Sequence, residues 1–541
     1  MRNRVAFVVC LTVMAIFLSV CHAQEYTPIA SKSAWEIADF GNVRYVADRD
    51  RSRILRLEDG VVVGSISTDR GDRASRPRGL CAAGDVLACI EGAANEIIFV
   101  DPQERDVVRS ISAPGPAPRG LAFDEEREVL WCNDLNERRV YALDPATGEV
   151  KVHIPVPSNS AVGMDYARDR LWIVDSWDDC VYRVDPQTAE VEASVAVPPG
   201  EPRGVIARDG ELVLSYLDSN SIVTVPYEEG PGYTLSLPTE AHVKLVCEVT
   251  CRTEDPAPAG AEVRAAIPVD SVRQSISNLD FFPEGTDNYK DPYGQKVAAW
   301  DVPALEPGET FTCGWEARVS LYAMRLSWLP GYNHGSDDAP GPAYLRDGRE
   351  ITTSDPGVRA LAKGLETFDP LQQLLSLRNR VFERMEYVGD GRWDPADVSL
   401  ERGTGSCSEY SFIFAGAARN LGIPVRLAGG SYLYPAKDAQ GSSRQRQDDI
   451  GHRWVEVFMD DYGWLPVDAQ REDRAKGPPF SKSNFLAISN RALVCCRSPL
   501  GEDTAMGMNY KVRFVRPAGP NLWDYKYKYI WTVDELKPWT K

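Results

Sequence analysis

The sequence predicts a multidomain protein with an N-terminal β-propeller, a β-sandwich and a C-terminal α+β domain. Three observations predict it. The first half repeats at intervals of 41–43 residues, the middle alternates apolar and polar residues without that repeat, and helical periodicity begins near residue 355. A chain of 541 residues has the length of about three or four domains. We assign a signal peptide to 1–23, the propeller to 24–232, the sandwich to 233–330, a linker to 331–344 and the C-terminal domain to 345–541.

Composition and charge exclude several classes of protein. Hydrophobic residues make up 43% of the chain and charged residues 26%, which is typical of a soluble globular protein and not of a disordered, collagen-like or coiled-coil chain. Sixty basic and 79 acidic residues give a net charge of −19. Because nucleic-acid binding requires a basic surface, we expect no nucleic-acid partner and no adhesion to an anionic membrane.

The N-terminal residues predict export. Arg2 and Arg4 precede the apolar stretch 5–20, and Ala23 places a small side chain immediately before Gln24. This is the layout of a secretory signal peptide. Sixteen apolar residues are fewer than the roughly 20 that span a bilayer, so cleavage is favoured over a permanent anchor. We expect a secreted or periplasmic protein without stable membrane insertion after the signal is removed.

The cysteine pattern predicts neither a disulfide scaffold nor a metal site. Twelve cysteines occur, and Cys10 and Cys21 leave with the signal. The other ten are too sparse for a disulfide scaffold, although an exported protein can oxidise them. Either Cys247 or Cys251 could pair with Cys313, and the sequence does not choose between them. Paired CxxC motifs and Cys/His zinc spacings are absent, so we expect no metal and no cofactor.

The repeat in the first half has the size of a propeller blade. Units of about 40–45 residues that hold four short strands are typical of β-propellers. Five units are visible, and a sixth could be assembled from the two flanks. The segment resembles the NHL and YVTN propeller families. It is either a face that binds a ligand or partner, or a spacer that closes on itself. Three markers keep the period: Gly79, Gly120, Gly163 and Gly204; Asp101, Asp144 and Asp185; and Asp48, Glu91, Asp134 and Asp175.

The middle segment predicts a second β-domain. Alternating runs such as HVKLVCEV and KVAAWDV are separated by turns rich in proline and glycine. About seven short strands of this kind are typical of a β-sandwich. A segment rich in glycine, proline and aspartate at 330–342 then predicts a linker.

A candidate nucleophile lies in the last third of the chain. Cys407 follows a glycine-rich stretch and precedes an apolar pattern with helical spacing, which predicts that Cys407 lies at a helix N-terminus. The partial positive charge there favours the thiolate, the form that attacks carbonyl carbons. The residues of the apolar pattern are Tyr410, Phe414, Ala417 and Leu421.

His452 is the candidate base, and Asp468 its orienting acid. The chain has five histidines, and His452 alone lies in the same domain as Cys407. It opens a predicted strand, and the next strand ends at Asp468. If these strands pair in antiparallel fashion, Asp468 lies beside His452 and can orient its imidazole. Each residue alone is more often structural, but the three together in this order favour catalysis.

The quoted motifs resemble the transglutaminase-like core. The run GTGSCSEYSFIFAGAARNLGIPVRLAGG, then HRWVEVF, then YGWLPVDAQ, matches the family's helix start, turn and two strands. The resemblance covers about residues 345–515 and implies a papain-like α+β fold. It also implies that Cys407 is the nucleophile, His452 the general base and acid, and Asp468 the orienting residue.

One departure from the family pattern bears on the reaction. Ser408 follows the nucleophile, where protein-crosslinking transglutaminases carry a tryptophan. We therefore expect an amide hydrolase or protease that acts on a protein or peptide through a thioester. The alternatives are a propeller-based binding protein with a structural transglutaminase-like domain, and a true amine-transferring transglutaminase. A redox role for Cys495 and Cys496 is weaker, because adjacent cysteines pair only with strain.

Overall fold

The computed structural model of the protein is dominated by antiparallel sheets. The predicted signal peptide and residues 331–339 of the predicted linker lie outside the residues that it describes. The described residues are 27–70, 74–158, 160–230, 232–284, 287–327, 340–389, 391–433, 444–446, 451–460, 462–470, 485–501, 503–515 and 524–537.

The first half of the chain forms five antiparallel blades, each a sheet in which consecutive strands pair. The short β1 (Thr27–Pro28) pairs with β20 of the fifth blade, so the start of the propeller is tied to its end. The blades consist of β2 (Ala34–Phe40), β3 (Val43–Asp48), β4 (Arg53–Glu58) and β5 (Val61–Ser67); β6 (Pro77–Ala83), β7 (Val86–Glu91), β8 (Glu96–Asp101) and β9 (Asp106–Ser112); β10 (Pro118–Asp124), β11 (Val129–Asp134), β12 (Arg139–Leu143) and β13 (Val150–Pro155); β14 (Ala161–Ala167), β15 (Arg170–Asp175), β16 (Cys180–Val184) and β17 (Val191–Ala196); and β18 (Pro202–Arg208), β19 (Glu211–Tyr216) and β20 (Ser221–Gly230), continued by the start of β21.

The ring closes with five blades. The first strand of each blade lies against the first strand of the next, and β18 of the fifth blade lies against β2 of the first. The repeat glycines make this approach possible: a Cβ on Gly120 would lie 2.8 Å from the carbonyl carbon of Gly163, and one on Gly204 would lie 2.7 Å from the Ile37 nitrogen. Thus the predicted propeller is confirmed, and within the described residues the flanks do not build the sixth blade that the sequence left open.

The repeated acids shape the loops of the blades. The carboxylate of Asp134 accepts hydrogen bonds from the backbone N–H groups of Ala117, Asn136 and Glu137 at 2.5–2.9 Å. Glu91 accepts equivalent bonds in the preceding blade. These acids satisfy backbone donors that the turn would otherwise leave unpaired, which explains their place in the repeat.

A β-sandwich follows the propeller and takes two strands from the C-terminal end of the chain. The predicted range 233–330 therefore does not enclose it. One sheet has the order β36-β21-β26-β23, and the other has the order β24-β25-β22-β35. Its strands are β21 (Tyr233–Cys251), β22 (Ala261–Ala266), β23 (Gln274–Phe282), β24 (Asp287–Lys290), β25 (Lys296–Val302), β26 (Thr310–Leu326), β35 (Val512–Val515) and β36 (Tyr525–Lys537).

In its described residues, the C-terminal domain combines four α-helices with an antiparallel sheet of order β32-β31-β29-β34. The helix α4 packs its buried face against β31 and β29, which brings its first turn to the strand that carries His452. The helices are α1 (Pro356–Ala362), α2 (Pro370–Phe382), α3 (Ala396–Arg402) and α4 (Cys407–Asn420). The strands are β27 (Glu386–Tyr387), β28 (Thr404–Gly405), β29 (Val425–Tyr432), β31 (Gly451–Met459), β32 (Gly463–Val467) and β34 (Ala492–Ser498). Two short strands of the same part of the chain pair with the sandwich instead: β30 (Arg444–Arg446) with β36, and β33 (Ala487–Ile488) with β26.

Within the described residues, the helices are all too short or too polar to cross a lipid bilayer.

Candidate active site

Cys407 is the first residue of helix α4. Ser406 caps the helix, and its side chain accepts a hydrogen bond from the N–H of Ser408. Glu409 bonds back to the Ser406 N–H at 2.9 Å and to its hydroxyl at 2.6 Å, which completes a capping box. The cap fixes the direction in which the chain enters the helix. Cys407 therefore lies where the unpaired N–H groups of the first turn stabilise negative charge.

His452 and Asp468 meet across paired strands. Strands β31 and β32 are antiparallel, with Val455 opposite Val467. Asp468 directly follows β32 and therefore lies beside the start of β31, which carries His452. His452 Nε2 lies 2.5 Å from Asp468 Oδ2, and both side chains are buried. This contact fixes the imidazole and leaves its Nδ1 for the thiol of Cys407.

Two aromatic rings hold the imidazole in place. Trp454 stacks on it with an interplanar angle of 25° and a centroid distance of 5.9 Å. Tyr432 meets it edge-on at 5.2 Å. Because the two rings restrict the imidazole, it loses little conformational freedom when it forms its hydrogen bonds. The orientation of His452 is therefore set before a substrate binds.

Cys407 and His452 favour each other's charged form. Burial of the sulfur opposes ionisation, but the hydrogen bond and the charge of His452 outweigh it and lower the pKa of Cys407 below its ordinary value. Burial also acts to lower the pKa of His452, yet Asp468 and the Cys407 sulfur raise it to about 10. Each residue therefore stabilises the charged form of the other, a thiolate beside an imidazolium.

Arg453 supports the thiolate from the residue next to the base. Its backbone N–H donates a hydrogen bond to Cys407, and its positive charge further lowers the pKa of that thiol. The buried guanidinium lies over the rings of Trp393, Phe412 and Tyr510 at 4.5–5.2 Å and donates to a backbone carbonyl. Aromatic faces thus replace part of the water that this charge has lost.

The sequence did not single out Tyr510 and Lys511, which approach the site from the C-terminal side. Gly429 makes room for Tyr510, since a Cβ there would lie 2.5 Å from the tyrosine ring. Lys511 is buried against the rings of Tyr510 and Tyr529, and burial lowers its pKa to about 7 despite the opposing charge of Cys407. The sequence feature that could have indicated Lys511 is its position directly before the strand VRFV.

The structure thus brings Cys407, His452 and Asp468 together. The departure at Ser408 lies inside the domain: its side chain is fully buried, and its hydroxyl has no hydrogen-bond partner among the described residues. The other histidines of the described chain lie elsewhere, His153 on β13 and His242 on β21. Nowhere in the described part of the chain do three or more His, Cys, Asp or Glu side chains group as metal ligands.

Comparison with known proteins identifies the domain that holds this site. Residues 359–469 match the family model of the transglutaminase-like superfamily. The matched segment contains all three candidate residues, so the chain carries a transglutaminase-like domain, as the sequence predicted. A search of curated protein sequences found no match.

Solved structures resemble parts of the chain. A candidate cysteine protease from Cytophaga hutchinsonii is 13% identical and covers 55% of this chain and 92% of its own, with a TM-score of 0.38. A catalytically inactive form of virginiamycin B lyase from Staphylococcus aureus, solved with quinupristin, is 17% identical. It covers 36% of this chain and 67% of its own, with a TM-score of 0.28. Glutaminyl cyclase from Myxococcus xanthus is 13% identical and covers 38% of this chain and 94% of its own, with a TM-score of 0.33.

Proposed function

We propose that the protein is an exported cysteine amide hydrolase that acts on proteins or peptides. The observation that carries the proposal is the arrangement of Cys407 at a helix start, facing an imidazole that is fixed by Asp468 at 2.5 Å. This arrangement supplies a nucleophile, a proton donor and an orienting acid in one place. In the family that it resembles, such residues perform acyl transfer.

The first half of the reaction forms a thioester. The Cys407 thiolate attacks the carbonyl carbon of the substrate amide, and the carbonyl oxygen becomes an oxyanion. The Cys407 backbone N–H, an unpaired donor of the first helical turn, is a suitable partner for that oxyanion. The His452 imidazolium then gives its proton to the amide nitrogen, the carbon–nitrogen bond breaks, and the amine or ammonia leaves.

The second half of the reaction releases the acid. Neutral His452 takes a proton from water, and the resulting hydroxide attacks the thioester carbon. The carbon–sulfur bond breaks, which restores the thiolate beside the imidazolium and frees a carboxylic acid. Asp468 keeps the same hydrogen bond throughout and stabilises the imidazolium each time it forms.

Transfer to water is proposed over transfer to an amine. Ser408 replaces the tryptophan of the crosslinking enzymes, and its buried side chain offers an incoming amine no surface. The experiment incubates the mature protein with a glutamine-containing protein and a labelled primary amine. We expect ammonia release without matching incorporation of label. Incorporation in proportion to ammonia would instead establish an amine-transferring enzyme.

Matched variants separate catalysis from contamination. Cys407→Ala and His452→Ala should each abolish turnover, because one removes the nucleophile and the other the proton donor. Cys251→Ser, which removes a thiol of the sandwich, should leave it unchanged. If Cys407→Ala retained full turnover, or no glutamine or peptide amide were hydrolysed by the wild type, the proposal would be wrong.

The proposal of export rests on the N-terminal sequence pattern of residues 1–23. The full chain should be processed in a secreting host, and the mature N-terminus should begin at Gln24. N-terminal sequencing of the exported protein checks this. A protein that remains in the cytoplasm with residues 1–23 attached would contradict it.

A further inference from the structure

A second group of functional side chains lies on the axis of the propeller. In each blade, one residue of the first strand immediately precedes the position of the repeat glycine. Because the first strands surround the axis, these five side chains lie around one end of the central channel. They are Trp35, Arg78, Arg119, Val162 and Arg203 in blade order.

Three of these residues are arginines, and a fourth arginine joins them from a loop. Arg49 follows strand β3 of the first blade, and we call Arg49, Arg78, Arg119 and Arg203 the arginine cluster. Three of its members, Arg49, Arg78 and Arg203, lie over the ring of Trp35. The guanidinium carbons of Arg49 and Arg203 lie 4.8 Å and 4.9 Å from the ring centroid, and that of Arg78 lies 5.8 Å away.

The four guanidiniums repel one another. Burial and the charges of Arg203 and Arg49 lower the pKa of Arg119, and burial with the charges of Arg119 and Arg49 lowers that of Arg78 to about 10. In a chain of net charge −19, this concentration of positive charge is not a general property of the surface. This repulsion costs free energy that a bound anion would offset.

Neighbouring carboxylates offset the charge of the arginine cluster only in part, and the pKa values of Arg78, Arg119 and Arg203 remain lowered. Glu91 and Asp134 are engaged by the backbone N–H groups of their own loops. Within the described ranges, the one ion pair of the cluster is the 3.4 Å contact between Arg203 and Glu201.

Buried donors of the arginine cluster also remain unpaired. The Nε atoms of Arg49, Arg78 and Arg203 are buried and have no hydrogen-bond partner among the described residues. A buried guanidinium donor without an acceptor is costly, and an oxygen-bearing anion is the acceptor that it fits.

We propose that the arginine cluster binds an oxyanion, a carboxylate or phosphate group, at the mouth of the propeller channel. The planar guanidinium fork matches the paired oxygens of both groups, and low-dielectric walls strengthen the attraction. The propeller is then a binding module that selects molecules carrying such a group. This inference does not depend on the chemistry at Cys407.

Calorimetric titration of the full mature chain tests the proposal. The Cys407→Ala variant is used so that no turnover contributes heat. Inorganic phosphate and succinate are titrated separately at constant ionic strength, with chloride as the balancing anion. We expect saturable binding with one equivalent of at least one anion, and the tighter of the two identifies the preferred chemical class.

Variants locate the binding. Arg78→Gln and Arg203→Gln should each weaken it by about tenfold or more, because each removes a charged hydrogen-bond donor. Arg203→Lys keeps the charge but loses the fork, and should bind with intermediate affinity. Arg56→Gln, which alters an arginine on β4 outside the cluster, should bind like the parent.

Two results would overturn the proposal. One is the absence of saturable binding of either anion to the parent protein. The other is unchanged affinity in Arg78→Gln or in Arg203→Lys, with circular dichroism showing each variant to be folded.

Discussion

At the scale of the residue, Cys407 combines ionisation with access. Among the described cysteines, the thiol pKa is lowered at Cys407 and at Cys251, in the latter by hydrogen bonding to Thr253 against the effect of burial. Cys251 is only 2% exposed, whereas Cys407 is partly open to solvent. The hydrogen bond with Cys313, together with burial, raises the pKa of Cys247. Burial raises the pKa of the other thiols for which a shift is resolved: Cys81, Cys89, Cys132, Cys180, Cys495 and Cys496. The high pKa values of Cys495 and Cys496 argue against the redox role.

Alkylation at low pH should therefore select Cys407. Iodoacetamide at about pH 6 should label Cys407 before any other cysteine, because only an accessible thiolate reacts there. Mass spectrometry of the digested protein gives the labelled site. Cys251→Ser should not change the rate, and His452→Ala should slow it by removing the imidazolium. Equal labelling of Cys407 and buried cysteines would contradict the lowered pKa.

The role of Asp468 can be tested through the pH profile. Asp468 raises the pKa of His452, which reaches about 10. The imidazolium is present below that pKa and is lost as the pH rises through it, so turnover should fall on the alkaline side. Asp468→Asn removes the charge that holds the proton, and the alkaline limb should shift to lower pH.

The measurement for this prediction is kcat/KM between mildly acidic and strongly alkaline pH. Asp460→Asn, at an exposed aspartate after β31, is the matched control and should retain the parent profile. A fall in rate without any displacement of the alkaline limb would mean that Asp468 has a purely structural role.

At the scale of the element, strand β31 links the site to the scaffold. It carries His452 near its start and Glu456 four residues later. The buried carboxylate of Glu456 bonds to Arg426 of β29 at 2.6 Å and to Arg497 of β34 at 2.9 Å. Adjacent strands are thus joined by charge as well as by their backbones, which holds the histidine strand in register.

Removing the charge that Glu456 shares with Arg426 and Arg497 should destabilise the C-terminal domain. Glu456→Gln leaves two guanidiniums without their shared carboxylate, and we expect a loss of about 3–5 kcal/mol in unfolding free energy. Chemical unfolding followed by the fluorescence of the domain measures it. Glu383→Gln, at an exposed position after α2, should change stability by less than about 0.5 kcal/mol. An equally small loss of unfolding free energy in Glu456→Gln would contradict the stabilising role of this buried carboxylate.

The same carboxylate makes the stability depend on pH. Burial would raise the pKa of Glu456, but the charges of Arg426 and Arg497 lower it to about 2. The unfolded chain has the ordinary glutamate pKa of about 4.3, so the stabilisation is complete above that value and is lost as the pH falls toward 2. The acid sensitivity of the domain should be smaller in Glu456→Gln, which has no proton to bind there.

Local patterns predicted the elements of the site better than their long-range partners. The helix at Cys407 and the paired strands of His452 and Asp468 follow from turn residues and periodicity over short distances. Tyr510 and Lys511 reach the same site from a distant part of the chain, where no local pattern indicates the contact. The sequence predicts neighbours along the chain, whereas these residues become neighbours only through packing.

At the scale of the whole molecule, symmetry made the propeller predictable and also concealed its candidate binding site. A repeated blade repeats its contacts, so the glycine spacing was sufficient to predict the ring. The glycines served as markers of the repeat, and nothing local showed that the arginines before them, about 40 positions apart, meet on one axis. The C-terminal strands of the sandwich were missed for the same reason, because their partners lie near residues 243–265.

The shared sandwich predicts how the molecule responds to cleavage. Strands β35 and β36 follow residues 328–339 in the sequence, but they pair with β22 and β21, which precede those residues. Trp531 of β36 is fully buried and meets Trp315 edge-on at 5.8 Å. A chain cut within 328–339 should therefore remain one particle in native buffer, because the sandwich is built from both fragments.

Size-exclusion chromatography of the cleaved protein, before and after denaturant, measures this association. Trp531→Ala should weaken it, since the loss of a buried tryptophan costs about 3–5 kcal/mol and removes an aromatic pair. Lys526→Ala, at an exposed position of the same strand, should leave the cleaved fragments together. Fragments of the parent protein that separate without denaturant would show that the C-terminal strands are not part of the sandwich. Fragments that stay together in native buffer would mean that the transglutaminase-like domain and the sandwich form one interdependent unit.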